Sequence, residues 1–242
     1  MDITLRCIAL RTTKHSDRHS IVTAWSEQLG RVGLLVSAGN GREDRRRRAL
    51  MMPLGLFECH ARQRPGSDLF HITEVVPIYV PATITDSPTR SAVALFMAEV
   101  IERTLRDAPP DAPLTRALMA TVELLDTVPT GADLAMFPIT FLSQFAHHLG
   151  IAPDVDQYRR GNFFDLIDGR FRPSCPLNHQ HLPPDHARIA AAILRADFRT
   201  AGRLPLPLLT RRAILATLLQ YFSLHLTDLT TLRSLPILQS LN

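Results

Sequence analysis

The apolar rhythm of this chain changes once, at Pro81, and that change limits the folds open to it. Before Pro81 short apolar-rich segments with β-branched and aromatic residues alternate with turn-forming clusters: "ITLRCIALRT" at 3–12, "HSIVTAWS" at 19–26, "VGLLVSAG" at 32–39, "LGLFECHARQ" at 54–63 and "LFHITEVVPIYV" at 69–80. Each reads as a strand. The second and third are joined by "EQLGR", and the last two by "RPGSD", whose Pro-Gly pair marks a turn. After the connector "PATITDSPTR" the spacing becomes helical, with Val93, Phe96, Met97, Val100, Ile101 and Leu105 on one face. Glu99 with Arg103, and Glu102 with Arg106, stand four apart in the favourable Glu-first order.

Five strands in about eighty residues fit a small closed barrel, of which the OB-fold is the five-stranded case. The expected architecture is α+β and multidomain: a barrel over 1–80, then an all-α domain over 81–242 interrupted by an irregular stretch at 151–184. Ser87 as N-cap and Pro88 at the first position start the first long helix. Further helices are expected at about 113–127, 133–149, 184–200 and 207–227, with a short one after Pro236. "NFFDLIDGRFRP" reads as a hairpin turned at Asp168-Gly169.

With 242 residues the chain can bury substantial cores without staples. Cys7, Cys59 and Cys175 are odd in number and form no C-x-x-C pair, which points to a reducing compartment and a cytoplasmic protein. The first twenty residues alternate apolar and charged positions, unlike a secretory signal, and the longest apolar run, "AILATLL", is far too short to span a bilayer. No membrane partner is expected.

Charge is distributed unevenly. Residues 1–80 hold twelve Lys or Arg against eight Asp or Glu, whereas 81–242 hold fifteen against fifteen, so the whole +4 excess sits in the first third. A basic module on a neutral body suits a polyanion ligand. The excess is densest in "GREDRRRRALMMP", with Arg42, Arg45, Arg46, Arg47 and Arg48 in seven positions between the third and fourth strands. Four consecutive arginines cannot all face a core. The bland reading is a solvated charged loop without a partner; the functional one is a loop lining a nucleic-acid groove, where phosphate contacts release counterions and aromatics stack bases. The loop's place on a candidate OB barrel favours the second, with Arg11, Lys14, Arg18 and Arg31 as further phosphate contacts. Trp25, Phe57 and Phe70 lie on strands, and core is the better reading for each. Trp25, beside Ser26 at a strand end, is the most exposed of the three and the candidate stacker.

Other chemistry is sparse. Cys175, His179 and His181, with His186 downstream, match no regular zinc spacing, so no metal or other cofactor is expected. Asp165 and Asp168 flank a turn, where Asp is ordinary. No G-x-S-x-G, P-loop or G-x-G-x-x-G motif occurs, and no enzyme is implied.

The run "ALRTTKHSDRHSIVTAWSEQLGRVGLLVSAG", the basic segment returning to Pro53-Leu54, and "DLFHITEVVPI" follow one another in an order that resembles the RecO family of DNA repair and recombination-mediator proteins. "FLSQFAHHLGIAPDVD" and "YFSLHLTDLTTLRSLPILQSL" are similar to its later helices. Many members carry a four-cysteine zinc module after the Leu-Gly-x-x-Pro segment. Here "DQYRRGN" stands where its first cysteine pair would be, so zinc is not carried over. The resemblance implies a bacterial, nucleoid-associated mediator that binds single- and double-stranded DNA, anneals complementary strands, associates with RecR, and contacts the acidic, Phe-terminated tail of single-stranded DNA-binding protein. For that tail the candidates are Arg103, Arg106, Arg116, Arg211 and Arg212, near helical apolar faces. The competing reading is an adaptor whose arginines bind acidic peptides and not DNA.

Overall fold

The structure, a computed structural model, describes residues 2–37, 39, 41–63 and 65–241. Among these, strands β1 (Asp2–Lys14), β2 (His19–Ser26) and β3 (Gly30–Ser37) form an antiparallel meander. Helix α1 (Arg42–Leu50) leads into β4 (Leu56–Gln63) and β5 (Leu69–Tyr79). β4 pairs with β1 and with β5, and β5 pairs in parallel with β3 through Leu34↔Phe70, closing a barrel in the order β1-β2-β3-β5-β4. This is the expected OB-fold, and the helical region follows it.

Inward residues alternate along the strands as the pleat requires. Leu5, Cys7 and Ala9 of β1, Val22 and Ala24 of β2, Leu34 and Val36 of β3, and Phe57 and Phe70 pack together, with Met51 just after α1 in the same core. The buried Cys7 thiol is pushed well up, by its hydrogen bond with Cys59 and by burial. The return from Met51 to β4 is tight. Leu54 adopts φ 65°, its N–H donating to Ala9 O at 2.8 Å, and a Cβ on Gly55 would meet Leu50 O at 1.9 Å, so this position admits glycine alone.

The chain divides into two compact units, one running through Thr127 and including Ser234–Leu241, the other Val128–Arg233. In the first, α2 (Pro88–Thr104) begins as expected, Ser87 accepting from Arg90 N with Pro88 at the first turn. It is followed by α3 (Ala112–Thr127). The connector is tied down at Asp126, 3 % exposed, whose carboxylate accepts from Tyr79 OH (2.7 Å), Ala82 N (2.8 Å), Thr83 N (2.7 Å), Thr83 Oγ1 (2.9 Å) and Ile84 N (3.0 Å). Burial alone would raise this carboxyl; the donors outweigh it and hold it well below the usual carboxylate range, and the carboxylate, by accepting from it, pushes the Tyr79 hydroxyl up.

The second unit contains α4 (Ala132–His148), a small sheet of β6 (Phe163–Asp165), β7 (Arg170–Arg172) and β8 (His181–Leu182), then α5 (Pro184–Arg195) and α6 (Leu208–His225). The hairpin turns at the expected place. Phe164, Phe171 and Tyr221 pack behind it, and burial drives the Tyr221 hydroxyl, which donates to Ile151 O at 2.6 Å, up to about 12. Helix α5 stops at Arg195, short of the expected 200, because the Asp197 carboxylate captures the N–H groups of Arg199 and Thr200 in a local turn. The last helix, α7 (Ser234–Leu241), starts before Pro236, which falls in its first turn where a missing N–H costs nothing. Glu99 of α2 anchors it by accepting from Ser234 N (2.9 Å) and Oγ (2.7 Å).

A basic barrel end and an apolar cavity as candidate sites

The segment read as an arginine loop is a helix. Arginine is a good helix former, and Glu43 and Asp44 in the first turn with Arg47 and Arg48 in the last complement the helix dipole. None of its nine residues is buried. At its C-terminal end Met51 plugs the barrel core, and Thr12 Oγ1 donates to Met51 O at 3.1 Å, fixing α1 against β1. His19 pairs with Ser37, so the β1–β2 tip bearing Lys14 and Arg18 and the start of α1 leave the barrel at the same end.

The remaining barrel candidates sort by place. Lys14 is paired with Asp17 at 2.9 Å, while Arg18 at the same tip is exposed and makes no ion pair among the described residues. Arg11 lies beside a bulge in β1 and is bound to Glu102 of α2 at 2.9 Å. Arg31 pairs with Trp25 near the β2–β3 turn, six residues along β3 from Ser37.

Trp25 corrects an expectation. It is 0 % exposed: Val22 and Ala24 face the barrel interior, whereas Trp25 points outward into the seam under α3, where its Nε1 donates to Thr115 Oγ1 at 2.8 Å. It cannot stack a base while α3 stays in place. Phe57 and Phe70 are barrel core, as expected.

Of the arginines placed on helices, Arg103 is paired with Glu99 (2.8 Å), Arg116 with Glu27 (3.1 Å), and Arg106 is exposed, all in the first unit. Arg211 and Arg212 stand on α6 of the second unit. Arg211 donates to Leu206 O at 2.8 Å, and both lie between Thr210 and Ala213, which line a cavity of about 290 Å³. Its walls are apolar faces of α5 and α6, including Ile189, Ile193 and Ile214, with Phe164 and Tyr221 from the hairpin side and the buried Ser143 hydroxyl, which has no partner among the described residues. Leu209 at its edge is 78 % exposed. These cavity residues were not singled out in the sequence. The available signal was α6 itself, where "LLTRRAILATLL" is apolar on more faces than one neighbour can cover.

Around Cys175 the donor set does not fit a metal. Cys175 Sγ lies 3.5 Å from His181 Nε2, while His181 Nδ1 donates to Asn178 O at 2.7 Å. Among the described residues no three His, Cys, Asp or Glu side chains converge to hold an ion. Asp165 organises the module instead, accepting from Ile167 N (3.0 Å), Asp168 N (3.3 Å) and Asn178 Nδ2 (3.2 Å), with Arg172 3.5 Å away. No helix among the described residues is long and apolar enough to cross a membrane.

Comparison with known proteins agrees with this layout. The family description "Recombination protein O N terminal" matches residues 1–80, and "Recombination protein O C terminal" matches 86–236. The chain is 31 % identical over 234 residues to the DNA repair protein RecO of Phocaeicola vulgatus, covering 97 % of this chain and 96 % of that one. It is 31 % identical over 235 residues to that of Bacteroides fragilis, again 97 % and 96 %, and 29 % identical over 246 residues to that of Porphyromonas gingivalis, covering 100 % and 99 %. Matched along both of its parts and nearly end to end, the chain belongs to the recombination protein O family.

Proposed function

We propose that this protein acts in DNA repair as a recombination mediator. It binds single- and double-stranded DNA, anneals complementary strands and, with RecR, helps load RecA recombinase onto strands coated by single-stranded DNA-binding protein, without catalytic turnover. The observation that carries the reading is the position of α1: a helix with five arginines and two acids, none of them buried, that follows β3 at the end of the OB barrel where the β1–β2 tip carries the exposed Arg18. Cations held on a rigid element engage phosphates by counterion release, independent of sequence. A surface holding a strand by its backbone leaves the base edges free, which is the condition for pairing with a second strand.

The cavity between α5 and α6 supports the tail contact. An acidic peptide ending in phenylalanine needs an apolar recess for the ring and cations for its carboxylates; the recess is lined by Thr210 and Ala213 of α6, and Arg211 and Arg212 lie between these two in sequence without lining it themselves. The deciding experiment is annealing of complementary strands without nucleotide, on bare DNA and on DNA coated with single-stranded DNA-binding protein. Acceleration on both is expected. An adaptor that only binds acidic tails accelerates neither.

A further inference from the structure

We propose that the arginines of α1 divide into two groups: Arg42, Arg45 and Arg46 engage phosphate, while Arg47 and Arg48 are positioning residues that hold the helix. This rests on the DNA-binding reading above. Residues 42, 45 and 46 stand at i, i+3 and i+4 and share one face, about 6 Å long, which suits a few adjacent phosphates and not a long tract. All three are exposed, and among the described residues none makes an ion pair or a side-chain hydrogen bond.

The other two are already engaged. Arg47 lies 3.7 Å from Asp44 with its side chain only 20 % exposed, and Arg48 Nη1 donates to Gly39 O across the entry to the helix. The Asp44 carboxylate in turn lies against Gly39, where an added Cβ would meet Oδ2 at 2.3 Å. Thus Gly39, Asp44, Arg47 and Arg48 form a clasp between the incoming chain and the helix. The helix needs one: it has nine residues, Gly41 supplies no side-chain cap, and a free helix of this length is unstable in water. Glu43 and Asp44 offset two of the five positive charges, and the remaining +3 equals the charge of the outward set.

The test is binding of an oligothymidylate strand by fluorescence anisotropy over a range of salt concentrations, with the folded state of every variant checked by the emission of Trp25. Replacing Arg42, Arg45 and Arg46 together by Gln lowers the log–log salt slope by about 2, at roughly 0.7 per engaged phosphate, and the corresponding triple Lys variant restores it. Replacing Arg47 and Arg48 by Gln leaves the slope within about 0.3 of the parent and weakens affinity at fixed salt about two- to fivefold by loosening the clasp; R48K, which can still donate to Gly39 O, recovers part of that loss. Equal loss of slope per residue in the two sets overturns the division while leaving DNA binding intact. A parent protein with no measurable affinity at low salt overturns the DNA reading and the division with it.

Discussion

Replacing Asp126 with Asn tests whether the connector between the barrel and the first helices is held by a buried charge. The carboxylate has two oxygens in use: Oδ1 takes Thr83 N, Thr83 Oγ1 and Ile84 N, and Oδ2 takes Tyr79 OH and Ala82 N. An Asn can keep its oxygen on the first set, but its amide then faces two donors. Two charge-assisted hydrogen bonds are lost, each worth about 1.5–3 kcal/mol, and part is regained because a neutral amide is cheaper to bury. The net expectation is a loss of about 3 kcal/mol. The pH dependence has a definite sign. Asp126 has a depressed pKa in the folded state, so its stabilisation is full above the unfolded carboxylate value near 4 and is lost as pH falls through the lower folded value. Urea unfolding followed through Trp25, the single tryptophan, which is buried in the same compact unit, reads both effects. The parent should lose stability from about pH 5 downward more steeply than Asp126→Asn. A loss below about 1 kcal/mol, or parallel pH profiles, refutes the assignment of Asp126 as an ionised, structurally required group.

Gly55→Ala should destabilise the barrel by more than about 2 kcal/mol in the same urea assay, since the new methyl meets the Leu50 carbonyl and not a movable side chain. Trp25→Phe should cost about 1–2 kcal/mol through the indole bond to Thr115, measured by circular dichroism, while leaving the salt slope of DNA binding unchanged; a changed slope would mean that the indole meets DNA. Ile193→Glu, which puts a charge in the cavity wall, should abolish calorimetric binding of an acidic peptide ending in phenylalanine and leave single-strand affinity at the barrel intact. Exposure to a strong chelator should leave the melting temperature unmoved, because Asp165 and its donors hold the hairpin; a drop on chelation would show a metal ligand set that the side-chain geometry lacks.

What was legible in the sequence was local. Strand alternation, the Ser87-Pro88 helix start and the Asp168-Gly169 turn depend on neighbours a few residues apart, and each appears where the spacing put it. Helix α1 was legible too, through its acids-first, bases-last order, but a dense charge run suits a solvated loop equally well by composition. The long-range features were not. Nothing near Trp25 in sequence says that α3, ninety residues on, covers that side of β2, and nothing near Glu99 says that Ser234 will cap against it. Arg11 and Arg116 looked like free cations for the same reason, and each is bound to a glutamate far away in sequence, whereas the Glu99–Arg103 pair, four residues apart, was legible.

These covered surfaces narrow where a polyanion can meet the barrel. The outer wall of β1 and β2 is already in use: Ile8, Leu10 and Trp25 are buried although they point away from the barrel core, under α2 and α3, and Arg11 is spent on Glu102. On the β4–β5 wall the charges are mixed, with Arg62 bound to Asp2 at 2.7 Å and the exposed Glu74 opposite His60, so a phosphate there meets as much repulsion as attraction. The end bearing α1 and the β1–β2 tip differs from both. Arg18, Arg42, Arg45 and Arg46 there have no acidic partner among the described residues, and the helix is anchored by Met51 in the core and by the clasp at Gly39. Charge on a fixed scaffold loses little conformational entropy when it binds, whereas a floppy arginine loop would have to be ordered each time. The helix therefore gives Arg42, Arg45 and Arg46, the proposed phosphate contacts, a firmer base than the loop that their sequence suggested.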